Sequence, residues 1–405
     1  MTEERPKNDS GRVEQCGMGT RCVRAAEARF FAFGGTVVPI VRSAAFAYDE
    51  VDRWIKVALG KEDGYIYSRN TNPTVRAFEE KMMSLEGSQD AVSFASGMAA
   101  VSNTLMALLK SGERAVSVKD LYGGSYLLFA EFLPRYGIRS TLCETTDFDQ
   151  IEREIAKGCQ LVYLESPTNP TLKVMDLPRL IKAAHKVGAL VVVDNTFATP
   201  INQNPLEMGA DLVLHSATKY LGGHGDVIGG VVCGSKELIH RVFHFREING
   251  ACLDAHAASL LIRGLKTLHL RVRQQNESAM AISEFLMSQS QVNRVFYPGL
   301  NTHPGHHIAE RQMRGFGGVL SFELRSGFEA AKAFMEGLKY AYRAANLGAV
   351  ETNVGTPATT SHVECTPEER AAAGIPEGLI RYAVGIEDTD DLIADISQAL
   401  AGLAL

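Results

Sequence analysis

Short apolar runs alternate with helical stretches between residues 91 and 233, and this alternation limits the possible folds more than any other feature. Within the runs the apolar residues are mostly consecutive, rather than at every second position. Strands of that kind are typical of a mainly parallel sheet covered by helices on both faces. We therefore predict an α/β fold, with strands at residues 91–94, 114–118, 161–164, 190–193, 212–214 and 230–233 and helices at 98–109, 125–136, 148–156 and 177–187.

The two ends of the chain have other patterns. The first 30 residues have the composition of a loosely ordered arm, residues 37–41 are strand-like, residues 51–59 are helix-like, and Thr74 is predicted to cap the helix that follows. The C-terminal part predicts a smaller α+β domain. Its elements are a long helical region at 256–289, strands at 294–297, 318–324 and 379–383, and helices at 328–339 and 390–401.

Three polar residues lie at or just past the ends of predicted strands. They are Glu165, Asp194 and Ser216. Ligands of open α/β sheets bind beyond the carboxyl ends of the strands. We therefore expect these three residues to face one crevice.

A lysine lies between two hydroxyl residues and a glycine-rich loop in the segment SATKYLGGHGD, residues 216–226. The amine of Lys219 can form a Schiff base with the aldehyde of pyridoxal phosphate (PLP), and the hydroxyls of Ser216 and Thr218 can donate to its phosphate. Asp194 can keep the pyridine nitrogen protonated, which makes the ring an electron sink. The alternative for this short motif is a surface lysine beside a small-residue turn. A dinucleotide site at residues 222–225 is excluded, because the loop does not lie between a strand and a helix.

Other loops carry residues that suit a phosphate or a planar ring. Arg69 can make a bidentate contact to phosphate, and Tyr67 can add a hydroxyl donor. The alternative is that these residues belong to an ordinary capping loop. The Ser96-Gly97-Met98 turn opens a helix after a strand, where backbone amides can bind an anion. Tyr122 can stack on a ring or carry a proton, or it is a packing tyrosine.

Two further residues can contact a substrate. Asn169 can donate to a ligand oxygen, or it forms an Asx turn before Pro170. Arg381 lies in an otherwise apolar strand, so it needs an anionic partner if it is buried. That partner is either a substrate α-carboxylate or an internal acidic side chain.

Composition excludes several classes of protein. The net charge is −6 with interspersed signs, so no basic face indicates nucleic-acid binding. No apolar run approaches the ~20 residues of a membrane span, and the first 30 residues lack the apolar core of a secretory signal. The seven cysteines are scattered without metal-ligand spacing. We expect a cytoplasmic protein with reduced thiols and no metal site.

In their order along the chain, these motifs resemble those of the Cys/Met-metabolism family of PLP enzymes. That family includes cystathionine γ-synthase, cystathionine γ-lyase, methionine γ-lyase and the O-acylhomoserine sulfhydrylases. The resemblance extends from about Val38 to Leu400 and is carried by the segments YSR-x-x-NPT, SGM, YGG, ESPTNP, VVVDNTF, SATKYLGGHGD and GLIRYAVGIED.

The resemblance implies the PLP-dependent aspartate-aminotransferase-type fold (fold type I). It implies an N-terminal arm, a PLP-binding large domain and a small C-terminal domain, for which we expect the bounds 1–62, 63–262 and 263–405. It also implies a homotetramer, a dimer of dimers in which two subunits share each active site.

The resemblance also assigns roles to residues. Lys219 matches the lysine that carries the cofactor, Asp194 the partner of its pyridine nitrogen, and Tyr122 the stacking tyrosine. The residues that would hold the phosphate are Ser96, Gly97, Met98, Ser216 and Thr218, with Tyr67 and Arg69 reaching it from the neighbouring subunit. Those that would contact the O3′ side of the cofactor or the substrate are Asn169, Arg381 and Asn346.

The implied reaction begins when Lys219 removes the α-proton of an amino acid, after which a group leaves from the γ-carbon with Lys219 and Tyr122 as proton carriers. Water then gives an α-keto acid and ammonia, or a thiol adds. A non-catalytic binding protein of this fold is disfavoured, because the proton-handling residues are all retained.

Departures from the family pattern lie where the substrate side chain would bind. Cystathionine enzymes usually have Glu-Ser-Leu-Gly-Gly where this chain has Ala345-Asn346-Leu347-Gly348-Ala349, and Ala345 cannot attract a distal amino group. Gly124 replaces the cysteine typical of methionine γ-lyases, and residues 34–36 and 356–360 also differ from the usual segments. We predict a γ-lyase acting on methionine, an O-acylhomoserine or a canavanine-like substrate. The alternative is γ-replacement by a cystathionine γ-synthase or an O-acylhomoserine sulfhydrylase.

Overall fold

The structure is a computed structural model that describes residues 13–359 and 374–403. Its larger sheet has seven strands in the order β1-β7-β6-β5-β4-β2-β3. Neighbouring strands from β6 to β3 are parallel, and β7 is antiparallel to both β1 and β6. The strands are β1 (Asp90–Phe94), β2 (Arg114–Val118), β3 (Arg139–Cys143), β4 (Leu161–Glu165), β5 (Leu190–Asp194), β6 (Leu212–Ser216) and β7 (Gly230–Gly234).

Both faces of this sheet are buried, which explains why its strands are apolar at consecutive positions. Along β6, Leu212 and Leu214 belong to one hydrophobic core, and Val213, which points to the opposite face, belongs to another. The predicted α/β fold with a mainly parallel sheet is therefore confirmed.

Helices in chain order cover the sheets and connect their strands. They are α1 (Met18–Arg24), α2 (Val51–Ala58), α3 (Pro73–Glu86), α4 (Gly97–Leu108), α5 (Gly123–Leu127), α6 (Leu133–Arg135), α7 (Phe148–Ala156), α8 (Leu177–Lys186), α9 (Thr199–Asn202), α10 (Lys236–Asn249), α11 (Ala255–Leu265), α12 (Leu268–Met287), α13 (His306–Gln312), α14 (Gly327–Gly337) and α15 (Thr389–Ala401). None of the helices within the described ranges is both long and apolar enough to cross a bilayer.

A second sheet of five strands lies in the C-terminal part, in the order β10-β11-β12-β9-β8. Its own hydrophobic core joins Phe322 and Ile380 of the sheet to Phe334 of α14. The strands are β8 (Val292–Phe296), β9 (Val319–Leu324), β10 (Tyr342–Arg343), β11 (Asn353–Gly355) and β12 (Leu379–Ala383).

The predicted cap of α3 at Thr74 is wrong. Asn72 caps the helix, since its side chain accepts from the backbone N–H groups of Thr74 (2.9 Å) and Val75 (3.4 Å). Pro73 fits the first helical position because its missing N–H group would have no partner there. The Thr74 hydroxyl is buried and donates to the carbonyl of Pro39 at 2.7 Å.

Other local predictions also differ from the structure. The helix predicted at 256–289 is two helices, α11 and α12, and the Arg271 guanidinium donates to the Gly264 carbonyl near the break at 2.8 Å. The helix predicted at 125–136 is interrupted by a π-helical turn, Leu128–Phe132. Residues 37–41 form no strand, and β3, β10 and β11 were not predicted.

Candidate active site

A cavity of about 400 Å³ opens at the carboxyl ends of β4, β5 and β6, where the sequence predicted a crevice. Most of the predicted site residues line it, namely Ser96, Gly97, Met98, Tyr122, Asn169, Asp194, Ser216, Thr218, Lys219 and Arg381. A larger void of about 760 Å³ lies between the N-terminal segment and α3, and none of the predicted site residues lines it.

One end of the cavity is the start of α4. Ser96 caps this helix, because its hydroxyl accepts from the Ala99 N–H group at 3.1 Å. The helix begins at Gly97, so the amides of Gly97 and Met98 have no partner inside it. A Cβ atom on Gly97 would lie 2.6 Å from the Cβ of Ser216, so only glycine allows the strand end and the helix start to approach this closely. The result is a pocket of free amides and hydroxyls that suits an anion.

Thr218 lines the same end, but its hydroxyl also holds the neighbouring loop in place. It accepts from the Gly229 N–H group at 3.1 Å and lies 3.3 Å from the Gly229 carbonyl.

Lys219 lines the cavity and lies within the turn that follows β6. Its Nζ donates to Oδ1 of Asn346 at 3.0 Å. Burial, followed by the positive charge of Arg381, lowers the pKa of Lys219 to about 8. The amine is therefore neutral in about a tenth of the molecules at pH 7 and in more of them at higher pH, and a nucleophile or a base requires this neutral form.

Asp194 is a half-buried carboxylate at the end of β5. Its Oδ1 accepts from the backbone N–H (3.0 Å) and hydroxyl (2.5 Å) of Thr196, and its Oδ2 accepts from the hydroxyl of Tyr163 at 3.3 Å. Burial raises the pKa of Asp194, and the hydrogen bonds from Thr196 oppose that shift. No ion pair found in residues 13–359 and 374–403 includes Asp194. A cationic N–H group at this end of the cavity would supply the missing partner.

Glu165 lies beside Asp194 and also lines the cavity. Its Oε2 accepts from the backbone N–H of Tyr122 at 2.9 Å, and its Oε1 lies 3.4 Å from the hydroxyl of Tyr163. Burial, followed by the negative charge of Asp194, raises the pKa of Glu165 to about 8. The sequence placed Glu165 at the crevice but assigned it no role.

Arg381 is 9% exposed, and its guanidinium contacts neutral groups. It donates to Oδ1 of Asn169 at 3.1 Å and to the carbonyl of Asn346 at 3.2 Å. Among the described residues no carboxylate pairs with it, so the internal acidic partner considered from the sequence is not found there. A buried guanidinium of this kind, at the wall of a cavity, suits a ligand carboxylate.

Tyr67, Arg69 and Asn346 do not line the cavity. Tyr67 is 44% exposed, and the Arg69 guanidinium lies 5.6 Å from the centroid of its ring. Arg69 also donates to the carbonyl of Glu247. Asn346 lies between Ala345 and Leu347, which do line the cavity.

Comparisons with known proteins give consistent results. The sequence model of the family "Cys/Met metabolism PLP-dependent enzyme" matches residues 19–401. An L-methionine gamma-lyase of Fusobacterium nucleatum subsp. polymorphum is 43% identical over 96% of this chain and 99% of its own length. An O-succinylhomoserine sulfhydrylase of Pseudomonas aeruginosa is 43% identical over 85% of each chain. The crystal structure of a cystathionine gamma synthase from Xanthomonas oryzae pv. oryzae, in complex with cystathionine, superposes with a TM-score of 0.90 at 42% identity, covering 95% of this chain and 98% of the other.

Proposed function

The chain belongs to the Cys/Met metabolism family of PLP-dependent enzymes, and we propose that it eliminates the γ-substituent of an amino acid that has no second ammonium group at the end of its side chain. Methionine, an O-acylhomoserine or a canavanine-like compound is the substrate class. The products are an α-keto acid, ammonia and the leaving group.

The cavity fits PLP, the cofactor of this family. The free amides at Gly97 and Met98 suit its phosphate, and the unpaired Asp194 carboxylate suits its pyridine N–H group. When bound, PLP supplies an electron sink for charge that develops at the α-carbon. Under this proposal Ser96, Ser216 and Thr218 would also hold the phosphate, Tyr122 would pack against the ring, and Lys219 would be the covalent anchor.

The remaining residues act on the substrate. Arg381 holds the α-carboxylate, since it is a buried cation without an acidic partner, and Asn169 orients Arg381 through their 3.1 Å hydrogen bond. Lys219 accepts the α-proton, because its lowered pKa makes the neutral amine available. After passing that proton on, Lys219 removes a proton from the β-carbon, and the electron pair of that C–H bond lets the γ-substituent leave. Tyr122 is half-exposed at the cavity mouth, where it can protonate the leaving group.

The choice of a substrate without a distal ammonium group depends on one observation. Ala345, Leu347 and Ile228 provide an apolar part of the cavity wall. The carboxylates in that wall are Glu165 and Asp194, and both already accept hydrogen bonds from protein groups. Asp194 is assigned to the cofactor and Glu165 lies directly beside it, so neither serves a distal ammonium group, and a substrate without such a group is preferred to cystathionine.

γ-Replacement is the second candidate. The sulfhydrylase relative has the same 43% identity as the methionine gamma-lyase, and the superposed structure is a cystathionine gamma synthase. Overall similarity therefore does not favour either outcome.

A substrate panel tests these proposals. Keto acid and ammonia are measured with methionine, canavanine, O-acetylhomoserine, O-succinylhomoserine and cystathionine, each with and without an added thiol. We expect keto acid, without added thiol, from at least one substrate other than cystathionine. Thioether formation without keto acid would indicate replacement, and keto acid from cystathionine alone would contradict the argument from Ala345.

We also propose a homotetramer with shared active sites. Tyr67 and Arg69 lie outside the cavity of their own chain, as expected if they contact a neighbour's cofactor. Helix α2 exposes Val51, Trp54 and Ile55, which are 65%, 48% and 51% accessible, and a second subunit would cover them. The domain bounds 1–62, 63–262 and 263–405 and a cytoplasmic location stay predictions of the sequence.

A further inference from the structure

The carboxylates of Glu165, which is buried, and Asp194, which is half-buried, share one phenol at the cavity wall. Strands β4 and β5 are parallel and in register, so Glu165 lies opposite Asp194. Tyr163 is two residues before Glu165 on the same strand, so both side chains point to one face of the sheet. The fully buried Tyr163 hydroxyl is 3.4 Å from Glu165 Oε1 and 3.3 Å from Asp194 Oδ2.

Tyr163 contacts both carboxylates, and two hydrogen bonds at its oxygen require two protons. If both carboxylates are ionised, the three side chains together supply only the phenol proton. Tyr163 has a single O–H group and can donate to only one of the two carboxylates. Glu165 and Asp194 both line the cavity wall, and neither belongs to an ion pair in the described part of the chain. Two negative charges that are close enough to contact the same phenol, in a site shielded from water, repel each other strongly. One of the two carboxylates therefore binds a proton.

The surroundings decide which carboxylate binds it. Asp194 accepts two hydrogen bonds from Thr196, and both favour its ionised form. Glu165 accepts one backbone hydrogen bond, from Tyr122, and a side-chain hydrogen bond from Ser125 also favours its ionised form. The raised pKa of about 8 at Glu165 agrees with this assignment. The cations across the cavity, Lys219 and Arg381, belong to the substrate side.

We propose that Glu165 is a positioning residue that carries a proton at neutral pH. Its acid O–H donates to Tyr163, Tyr163 donates to Asp194, and the second oxygen of Glu165 holds the Tyr122 N–H group. The chain of donors keeps Asp194 ionised and fixes the turn that carries Tyr122. This inference rests on the proposed roles of Asp194 and Tyr122 toward the cofactor.

Infrared difference spectroscopy tests the proton directly. Holoenzyme and apoenzyme of the wild type and of Glu165→Gln are compared at about pH 6, below the raised pKa. We expect the carbonyl band of a protonated carboxylic acid in the wild type and its loss in the variant. The exposed Glu237→Gln is the matched control and should keep the band. Absence of the band from the wild type, or its persistence in Glu165→Gln, would overturn the proposal.

Cofactor affinity tests the positioning. Glutamine can donate to Tyr163 and accept from Tyr122, as the neutral acid does, whereas leucine can do neither. Glu165→Gln should bind PLP within about twofold of the wild type and Glu165→Leu about tenfold more weakly, because the latter leaves buried groups unpaired. Thermal unfolding of both apoenzymes separates this effect from misfolding. Glutamine as damaging as leucine would show that the charge is required and would contradict the proposal.

Neither readout needs a substrate. Failure of the proposed elimination would therefore leave the acid band and the affinity ratio unchanged, and a missing band would leave the elimination proposal unaffected.

Discussion

Lys219 donates a hydrogen bond from Nζ to Oδ1 of Asn346 across 3.0 Å, although the two residues are 127 positions apart in the chain. The backbone carbonyl of Asn346 also accepts from Arg381 at 3.2 Å. One residue between β10 and β11 therefore contacts both the proposed base and the proposed carboxylate-binding residue. Direct contact between Asn346 and a substrate stays a prediction.

A negative charge at Asn346 should suppress the neutral form of Lys219. In Asn346→Asp a carboxylate would face Nζ and raise the pKa of Lys219 above its present value of about 8. The rate of covalent PLP attachment can be followed by absorbance across a pH series. We expect the midpoint of this pH dependence to shift upward by about one unit in the variant. Below the midpoint, attachment should then be about tenfold slower than in the wild type. The exposed Asn293→Asp on β8 is the control. An unchanged midpoint would show that the contact does not set the ionisation of Lys219.

Removal of the Arg381 charge should affect substrate binding and stability in opposite directions. Arg381→Met removes the cation that would hold the α-carboxylate, so KM for the amino acid should rise by about 100-fold, whereas PLP affinity should change little. The apoenzyme should be at least as stable as the wild type in chemical denaturation, because a buried guanidinium with no carboxylate partner is lost. A destabilised apoenzyme with unchanged KM would instead indicate a structural role.

The sequence was sufficient for the parts of the fold that depend on local pattern. Strands β4, β5 and β6 are buried on both faces, and this burial requires the consecutive apolar residues from which they were predicted. The convergence of Asp194, Ser216 and Lys219 then followed from the parallel arrangement of the strands.

Other features depend on interactions that no local pattern contains. Strand β3 lies at a sheet edge and is largely polar and half-exposed, so it lacks the apolar signal of its neighbours. The pairing of Glu165 with Asp194 depends on the register between β4 and β5. The break between α11 and α12 is stabilised by Arg271, which also donates to the carbonyl of Tyr220, far away in sequence.

The stability of the apoenzyme should fall with rising pH because of Glu165. Its pKa in the folded chain is raised from 4.5 to about 8, so the folded state binds more protons than the unfolded state between these values. The stabilisation that Glu165 contributes is therefore fully present below its pKa in the unfolded chain, and it is lost as the pH rises through its pKa in the folded chain. The free energy of unfolding of the wild type minus that of Glu165→Gln, measured in urea across pH, should decrease over this window and then become constant. Asp194 also has a raised pKa, but it is present in both proteins and cancels to first order. A difference that is independent of pH would mean that Glu165 does not titrate in this range.

Mixing two inactive variants tests whether subunits share the active site. Lys219→Ala lacks the anchor, and Arg69→Ala lacks the proposed contact to a neighbour's cofactor. In a two-fold symmetric pair of one subunit of each kind, one site would combine the intact Lys219 of one chain with the intact Arg69 of the other. Random reassociation after mild denaturation should therefore restore activity at about a quarter of all sites. Each variant carried through the same procedure alone should stay inactive. If both residues instead served the site of their own chain, every site in the mixture would carry one substitution and no activity would return, so the recovered fraction separates the two arrangements.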